Sequence, residues 1–123
     1  MAQTVLCVDD EPANRALIAR LLKKNGFDVH QAANSRGAIE SATRTPDLVL
    51  ILLDIHMPET SGLDTLKVLK ADPVTQKIPV VVMSSSALVE ESRKKSLEMG
   101  AADFLPFPAA DDFVMMTIRK VIG

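Results

Sequence analysis

Apolar residues fall into two alternating patterns along the chain. Short runs rich in Val, Leu and Ile occupy Thr4–Val8, Phe27–Gln31, Leu48–Leu53, Pro79–Met83 and Ala102–Pro106. Their length and β-branched content predict strands. The longer segments between them carry helical spacing. Leu17, Ile18, Leu21 and Leu22 form an i, i+1, i+4, i+5 stripe, with Arg15, Arg20, Lys23 and Lys24 outside it. Asp10-Glu11-Pro12 predicts the start of that helix, with acids at the positive dipole end and Pro in the first turn. Asn25-Gly26 predicts its stop. Further helices are predicted over Ser35–Thr43, Leu63–Ala71, Leu88–Met99 (ended by Gly100) and Asp111–Ile122.

The result is a strand followed by a helix, repeated along the whole chain. The first, third and fourth strands are almost wholly apolar, as parallel strands covered on both faces must be. Alternation with short connections implies right-handed crossovers and a doubly wound α/β sheet, one domain over residues 1–123. Periodicity leaves the strand order open. In such a sheet ligands bind beyond the carboxyl ends of the strands. Asp9, Asp10 and Glu11 follow the first strand, and Asp54 and Ile55-His56-Met57-Pro58 the third. Ser84, Ser85 and Ser86 follow the fourth, and Phe107-Pro108 the fifth.

Composition narrows the function classes. With 47% hydrophobic and 24% charged residues the chain is of globular type. The run Leu48–Leu53 is far short of the roughly 18 residues of a membrane span. No charged segment leading into an apolar one opens the chain, so a cytoplasmic protein without a signal peptide is expected. The single cysteine, Cys7, excludes an internal disulfide framework and a Cys-based zinc site. Its place in a buried strand points to core packing. Fourteen basic against sixteen acidic residues give a net charge of −2, and Trp and Tyr are absent. Both facts argue against a nucleic-acid binder. None of the fourteen Lys and Arg falls at the carboxyl end of a predicted strand.

The acids there suggest chemistry. Asp9, Asp10 and Asp54 would converge if the first and third strands were neighbours. Three carboxylates in one pocket repel, so either a pKa rises or a cation neutralises them. Hard oxygen ligands suit Mg²⁺. A metal would also screen an incoming phosphoryl group and let a carboxylate attack phosphorus. Ser84 or Ser85 could then hydrogen-bond the transferred oxygens. Each part alone also has a structural role open to it. Asp10-Glu11 could cap a helix, Asp54 could be a turn residue, and the serines could cap the following helix.

Four stretches in order, VLCVDDEPANR, LLDIHMPETSGLD, KIPVVVMSSSA and MGAADFLPFP, resemble the receiver domain of two-component response regulators, with near-family spacing over essentially the whole chain. The resemblance implies a (βα)₅ flavodoxin-like fold with strand order 2-1-3-4-5. It implies that Asp54 accepts a phosphoryl group from a histidine kinase or phosphotransfer protein, with Mg²⁺ as cofactor. Asp10 then corresponds to a direct Mg²⁺ ligand, Asp9 to an acidic partner acting through water, and the His56 backbone carbonyl to a third protein ligand. Ser84 corresponds to the switch hydroxyl and Ser85 to the neighbour whose backbone N–H contacts the phosphoryl group. Phe104 corresponds to the aromatic switch position. By the same resemblance the domain supports only its own phosphorylation and dephosphorylation, signalling by protein–protein contact.

The chain departs from the family at Phe107, where a lysine ordinarily precedes the proline. That lysine makes a charge-assisted contact with the acids and the phosphoryl oxygens, and phenylalanine cannot. The departure motivates an alternative, a pseudo-receiver that docks partners without phosphorylation. The Phe107-Pro108 bond is expected to be cis, as the family's Lys-Pro bond is. Serine at 84 keeps the hydroxyl of the more usual threonine without the methyl that limits its rotamers. His56 is expected to be a surface loop residue contributing only its carbonyl, and His30 has no assigned role. In the last helix Phe113, Val114, Met115, Met116, Ile118, Val121 and Ile122 cover more than one face. They form either a broad core face or a partner or homodimer surface. Family members use the face of helix four, strand five and helix five to reach an output, and Arg93-Lys94-Lys95 would lie there. A phosphohydrolase and a flavin-binding relative fit less well: the first lacks a good general acid after Asp54, and the second would meet repulsion from the acids.

Overall fold

The computed structural model describes residues 2–57, 61–84 and 89–123. Strand and helix alternate as β1 (Thr4–Val8), α1 (Pro12–Lys24), β2 (Asp28–Ala32), α2 (Ser35–Arg44) and β3 (Leu50–Asp54). They continue as α3 (Gly62–Ala71), β4 (Val80–Ser84), α4 (Val89–Glu98), β5 (Asp103–Pro106) and α5 (Asp111–Ile122). All neighbouring strands pair in parallel, in the order β2-β1-β3-β4-β5. The doubly wound architecture and the 2-1-3-4-5 order are those expected.

The period-two alternation of the strands builds two cores. Val5, Cys7, Leu50, Leu52, Val81, Met83 and Leu105 pack with Ile18 and Leu22 of α1 and Val114, Met115 and Ile118 of α5. Leu6, Val8, Ile51, Leu53, Val80, Val82 and Phe104 share the opposite cluster with Ala38 and Ala42 of α2 and Leu66 and Leu69 of α3. Cys7 is fully buried. Burial, with a smaller contribution from the nearby Asp9 charge, pushes its thiol up to about 12, so it is an inert core residue.

Local signals account for the helix ends. Pro12 opens α1, and Gly26 follows its C-cap at φ +89°, a left-handed conformation that glycine adopts without steric cost. Asn34 caps α2, its Oδ1 accepting the Gly37 N–H at 2.8 Å. No helix among the described residues is long and apolar enough to cross a membrane.

Three strands run one residue further than their apolar pattern predicts. β2 ends at Ala32, β3 at Asp54 and β4 at Ser84. The ladder carries them on: Asp54 registers with Met83, and Ser84 with Pro106. Backbone pairing is indifferent to side-chain polarity, so an apolar pattern stops short of it. Asp54 and Ser84 are therefore held by the sheet itself. α5 occupies its predicted range, but its methionines divide: Met115 is 7% exposed and Met116 58%. The apolar face of α5 is wider than the sheet covers.

Candidate functional site

β1 and β3 are neighbours, and the chain leaves β1 on one side for β2 and on the other for β3. At this switch point Asp9 and Asp10 follow β1, while Asp54 ends β3. Carboxylate oxygens of all three lie within 4.8 Å of one another. Asp9 is 2% exposed; Asp10 and Asp54 are partly exposed.

Backbone groups orient the acids. Asp9 Oδ1 accepts the Glu11 N–H at 2.9 Å, and Asp54 Oδ1 accepts the His56 N–H at 2.9 Å. The loop after β3 is drawn in by Gly62, whose N–H donates to the Ile55 carbonyl at 3.1 Å. A Cβ at Gly62 would collide with the Asp54 carbonyl oxygen and the Ile55 Cα. Glycine is thus required by the close approach of α3 to the end of β3.

Burial is the main cause that lifts Asp54, to about 6. The His56 N–H opposes the rise, and the Asp9 and Asp10 charges add to it. Asp9 is also raised, first by burial. Three hard oxygen donors with this mutual repulsion fit a divalent cation such as Mg²⁺, whose charge relieves it.

A cleft of about 200 Å³ opens over the acids, lined by Asp9, Asn14, Asp54, Met83, Ser84, Phe107 and Pro108. Ser84 is 1% exposed, and its Oγ lies 2.8 Å from His56 Nε2. Phe107-Pro108 is cis, as expected, and the Phe107 ring packs against the α1/α5 core. Among the described residues, no lysine or arginine lines this cleft. Phe104 is buried in the opposite core. Ser85 lies outside the described residues, and His30 is exposed on β2.

Two expectations need correction. The carboxyl ends of the strands are not without a base: Arg15 of α1 reaches back, its Nη1 donating to the Asp9 carbonyl at 2.7 Å. Its Nε donates to Gln31 Oε1 at 3.3 Å, so it braces the β1 end from outside the cleft. His56 is an exposed loop residue, but its ring does contribute, through Ser84. Asn14 and Arg15 were detectable in principle, because the first turn of a helix after an acid pair overhangs the strand ends. The His56–Ser84 contact had no sequence signal: it spans 28 positions and depends on how two loops meet.

The family model for the response regulator receiver domain matches residues 5–119, and the chain belongs to that family. The two-component response regulator ORR11 of Oryza sativa is 36% identical over 118 residues, 96% of this chain and 80% of that protein. The phosphate regulon transcriptional regulatory protein PhoB of Escherichia coli is 34% identical over 123 residues, 99% of this chain. The chain spans about half of PhoB, 52% of its length. Among solved structures, chemotaxis protein CheY4 of Vibrio cholerae superposes with a TM-score of 0.89 at 23% identity, covering 98% of this chain and 99% of that one. A response regulator structure from Chloroflexus aurantiacus reaches a TM-score of 0.91 at 20% identity, covering 99% and 98%. These likenesses are of fold.

Proposed function

We propose that the domain accepts a phosphoryl group on Asp54 from a phosphohistidine of a histidine kinase or phosphotransfer protein, in a Mg²⁺-dependent reaction. The convergence of Asp9, Asp10 and Asp54 carboxylates within 4.8 Å at the switch point carries this reading. Asp10, Asp54 and the His56 backbone carbonyl would hold the metal, with Asp9 acting through water. Mg²⁺ there supplies charge neutralisation for the acids and the incoming phosphoryl group. An Asp54 oxygen attacks phosphorus, the P–N bond of the donor breaks as the P–O bond forms, and the donor imidazole keeps the electron pair. The His56 N–H holds Asp54 Oδ1 and so fixes the carboxylate for attack. Ser84 and the Ser85 backbone N–H would receive the phosphoryl oxygens, and Phe104 would respond as the aromatic switch.

The output surface is the face of α4, β5 and α5. A groove there is lined by Arg93, Phe104, Phe113, Met116 and Lys120, among others, and Phe113 and Met116 are exposed. Its apolar centre is edged by Arg93 and by Lys120, the latter paired with Asp103 at 3.4 Å, which suits an amphipathic partner segment, or a second copy of the domain.

Incubation with acetyl phosphate and Mg²⁺, followed by intact mass spectrometry, tests the reading. A gain of one phosphoryl group is expected, absent in Asp54→Ala and when EDTA is present. A wild-type protein that stays unmodified would instead support a domain that docks partners without phosphorylation.

A further inference from the structure

Among the described residues, the contact between the His56 ring and Ser84 is a polar feature beside the acids that the phosphoacceptor reading does not use. Its geometry is set by anchored backbone on both sides. On the β3 side, Ile55 donates its N–H to the Met83 carbonyl at 3.2 Å and accepts the Gly62 N–H at 3.1 Å. The next N–H, of His56, is held by Asp54 Oδ1 at 2.9 Å. On the β4 side, Ser84 ends a paired strand, and its carbonyl accepts the Phe107 N–H at 3.0 Å. Between these fixed points the imidazole Nε2 and the hydroxyl Oγ stand 2.8 Å apart.

The order of the groups matters. Ser84 lines the cleft with Asp54 and Asp9, whereas His56 does not. The exposed His56 side chain meets the buried Ser84 hydroxyl from the loop after β3. A serine hydroxyl can accept one hydrogen bond while donating another. Lacking a β-methyl, Ser84 has its rotamer set by its partners more than by sterics. The side chain at 107 is a phenyl ring packed into the core, which can donate nothing to a phosphoryl oxygen.

We propose that His56 is a positioning residue: its Nε2–H donates to Ser84 Oγ and thereby aims and polarises the Ser84 hydroxyl as the donor to the phosphoryl group on Asp54. The pair supplies, through a neutral relay, part of the contact that a lysine at 107 would make. Hydrogen bonds in series strengthen one another in a partly buried site. Loss of one such bond of ordinary strength corresponds to about fivefold in an equilibrium constant.

The inference rests on the phosphoacceptor reading, and beryllofluoride with Mg²⁺, a mimic of the phosphoryl group, tests both. His56→Ala is expected to weaken beryllofluoride binding about fivefold. His56→Gln, whose amide nitrogen can replace Nε2–H, is expected to stay within about twofold of wild type on the same scale. In a Ser84→Ala background, His56→Ala should add nothing. Imidazole ¹⁵N spectra should show the Nε2–H tautomer in the wild type and a changed Nε2 shift in Ser84→Ala, a signature that packing alone would not move. Tighter or unchanged binding in His56→Ala, or an equal loss in the Ser84→Ala background, overturns the relay while leaving the phosphoacceptor intact. Failure of the wild type itself to bind overturns the phosphoacceptor reading, and the relay with it.

Discussion

Phe107 donates its backbone N–H to the Ser84 carbonyl at 3.0 Å, tying the end of β5 to the end of β4 while its partly buried ring packs against the α1/α5 core. The backbone at 107 thus makes a polar contact at the site, whereas the side chain offers the cleft only an apolar wall. Phe107→Lys should reverse that division. The aliphatic stem can lie along the apolar surface while the ammonium reaches the cleft, where an opposite charge favours the ionised carboxylate. The Asp54 pKa should fall from its raised value of about 6, as read by carboxyl ¹³C NMR against pH. Beryllofluoride-induced shifts in α4 should grow. An unmoved pKa would mean that the ammonium stays in solvent.

The raised Asp54 pKa also makes a stability prediction. A carboxyl that holds its proton more tightly folded than unfolded contributes stability that is complete below pH 4 or so, near its unfolded value. That contribution is lost as pH rises through about 6. The metal-free wild type should therefore lose ground to Asp54→Asn as the pH rises. After allowance for solvent screening at a partly exposed group, the gap at pH 8 should be about 1–2 kcal/mol. Thermal melts in EDTA should show the two proteins converging near pH 4. A constant gap across that range would mean that burial, and the neighbouring acids after it, penalise the ionised Asp54 little.

Divalent cation should relieve the same repulsion. At pH 8, Mg²⁺ at about ten times its dissociation constant is expected to stabilise the wild type by about 1.4 kcal/mol, by mass action. Asp10→Asn and Asp54→Asn should lose most of that increment, measured as the melting shift between Mg²⁺ and EDTA. Equal shifts in all three proteins would place the ion elsewhere.

How much of this was legible in the sequence follows from the range of each interaction. The strands and their parallel class come from unbroken apolar runs within single segments, so Val5, Cys7 and Leu52 were legible as buried from the sequence alone. Strand order came from resemblance to a family, because apolar runs such as Leu50–Leu53 fit a central position equally well in several orders. The acids were visible as residues, but their convergence depended on β1 lying beside β3. The place of Arg15 over the strand ends was legible from its position in the first turn of α1, but its bond to the Asp9 carbonyl depends on the tilt of the helix. The contact of the His56 ring with Ser84 was not legible, because two loops distant in sequence must meet to create it. Met115 and Met116 could not be separated, since the width of a covered helix face is a property of the sheet beneath it.

Gly62 offers a sharp test of how tightly α3 is docked on the loop after β3. A methyl there meets backbone atoms of Asp54 and Ile55, which cannot turn aside as a flexible side chain would. Gly62→Ala should cost about 2 kcal/mol or more, despite the higher helix propensity of alanine. The displaced loop should also shift the Asp54 and His56 resonances in NMR spectra. A neutral or stabilising effect would mean that the loop yields easily.

Adjacent methionines on α5 should respond in opposite ways to the same substitution. Met115 is 7% exposed and belongs to the α1/α5 core. Met115→Lys would bury a charge or force the helix away from the sheet, at a cost of about 3 kcal/mol or more. Met116 is 58% exposed and lines the groove beside Phe104 and Phe113. Met116→Lys should change stability by less than about 0.5 kcal/mol, while adding a third cation beside Arg93 and Lys120. Chemical denaturation of the two variants measures the contrast directly. Similar losses at both positions would mean that the exposed face of α5 is covered in solution, and sedimentation of the wild type would then reveal the second copy that covers it.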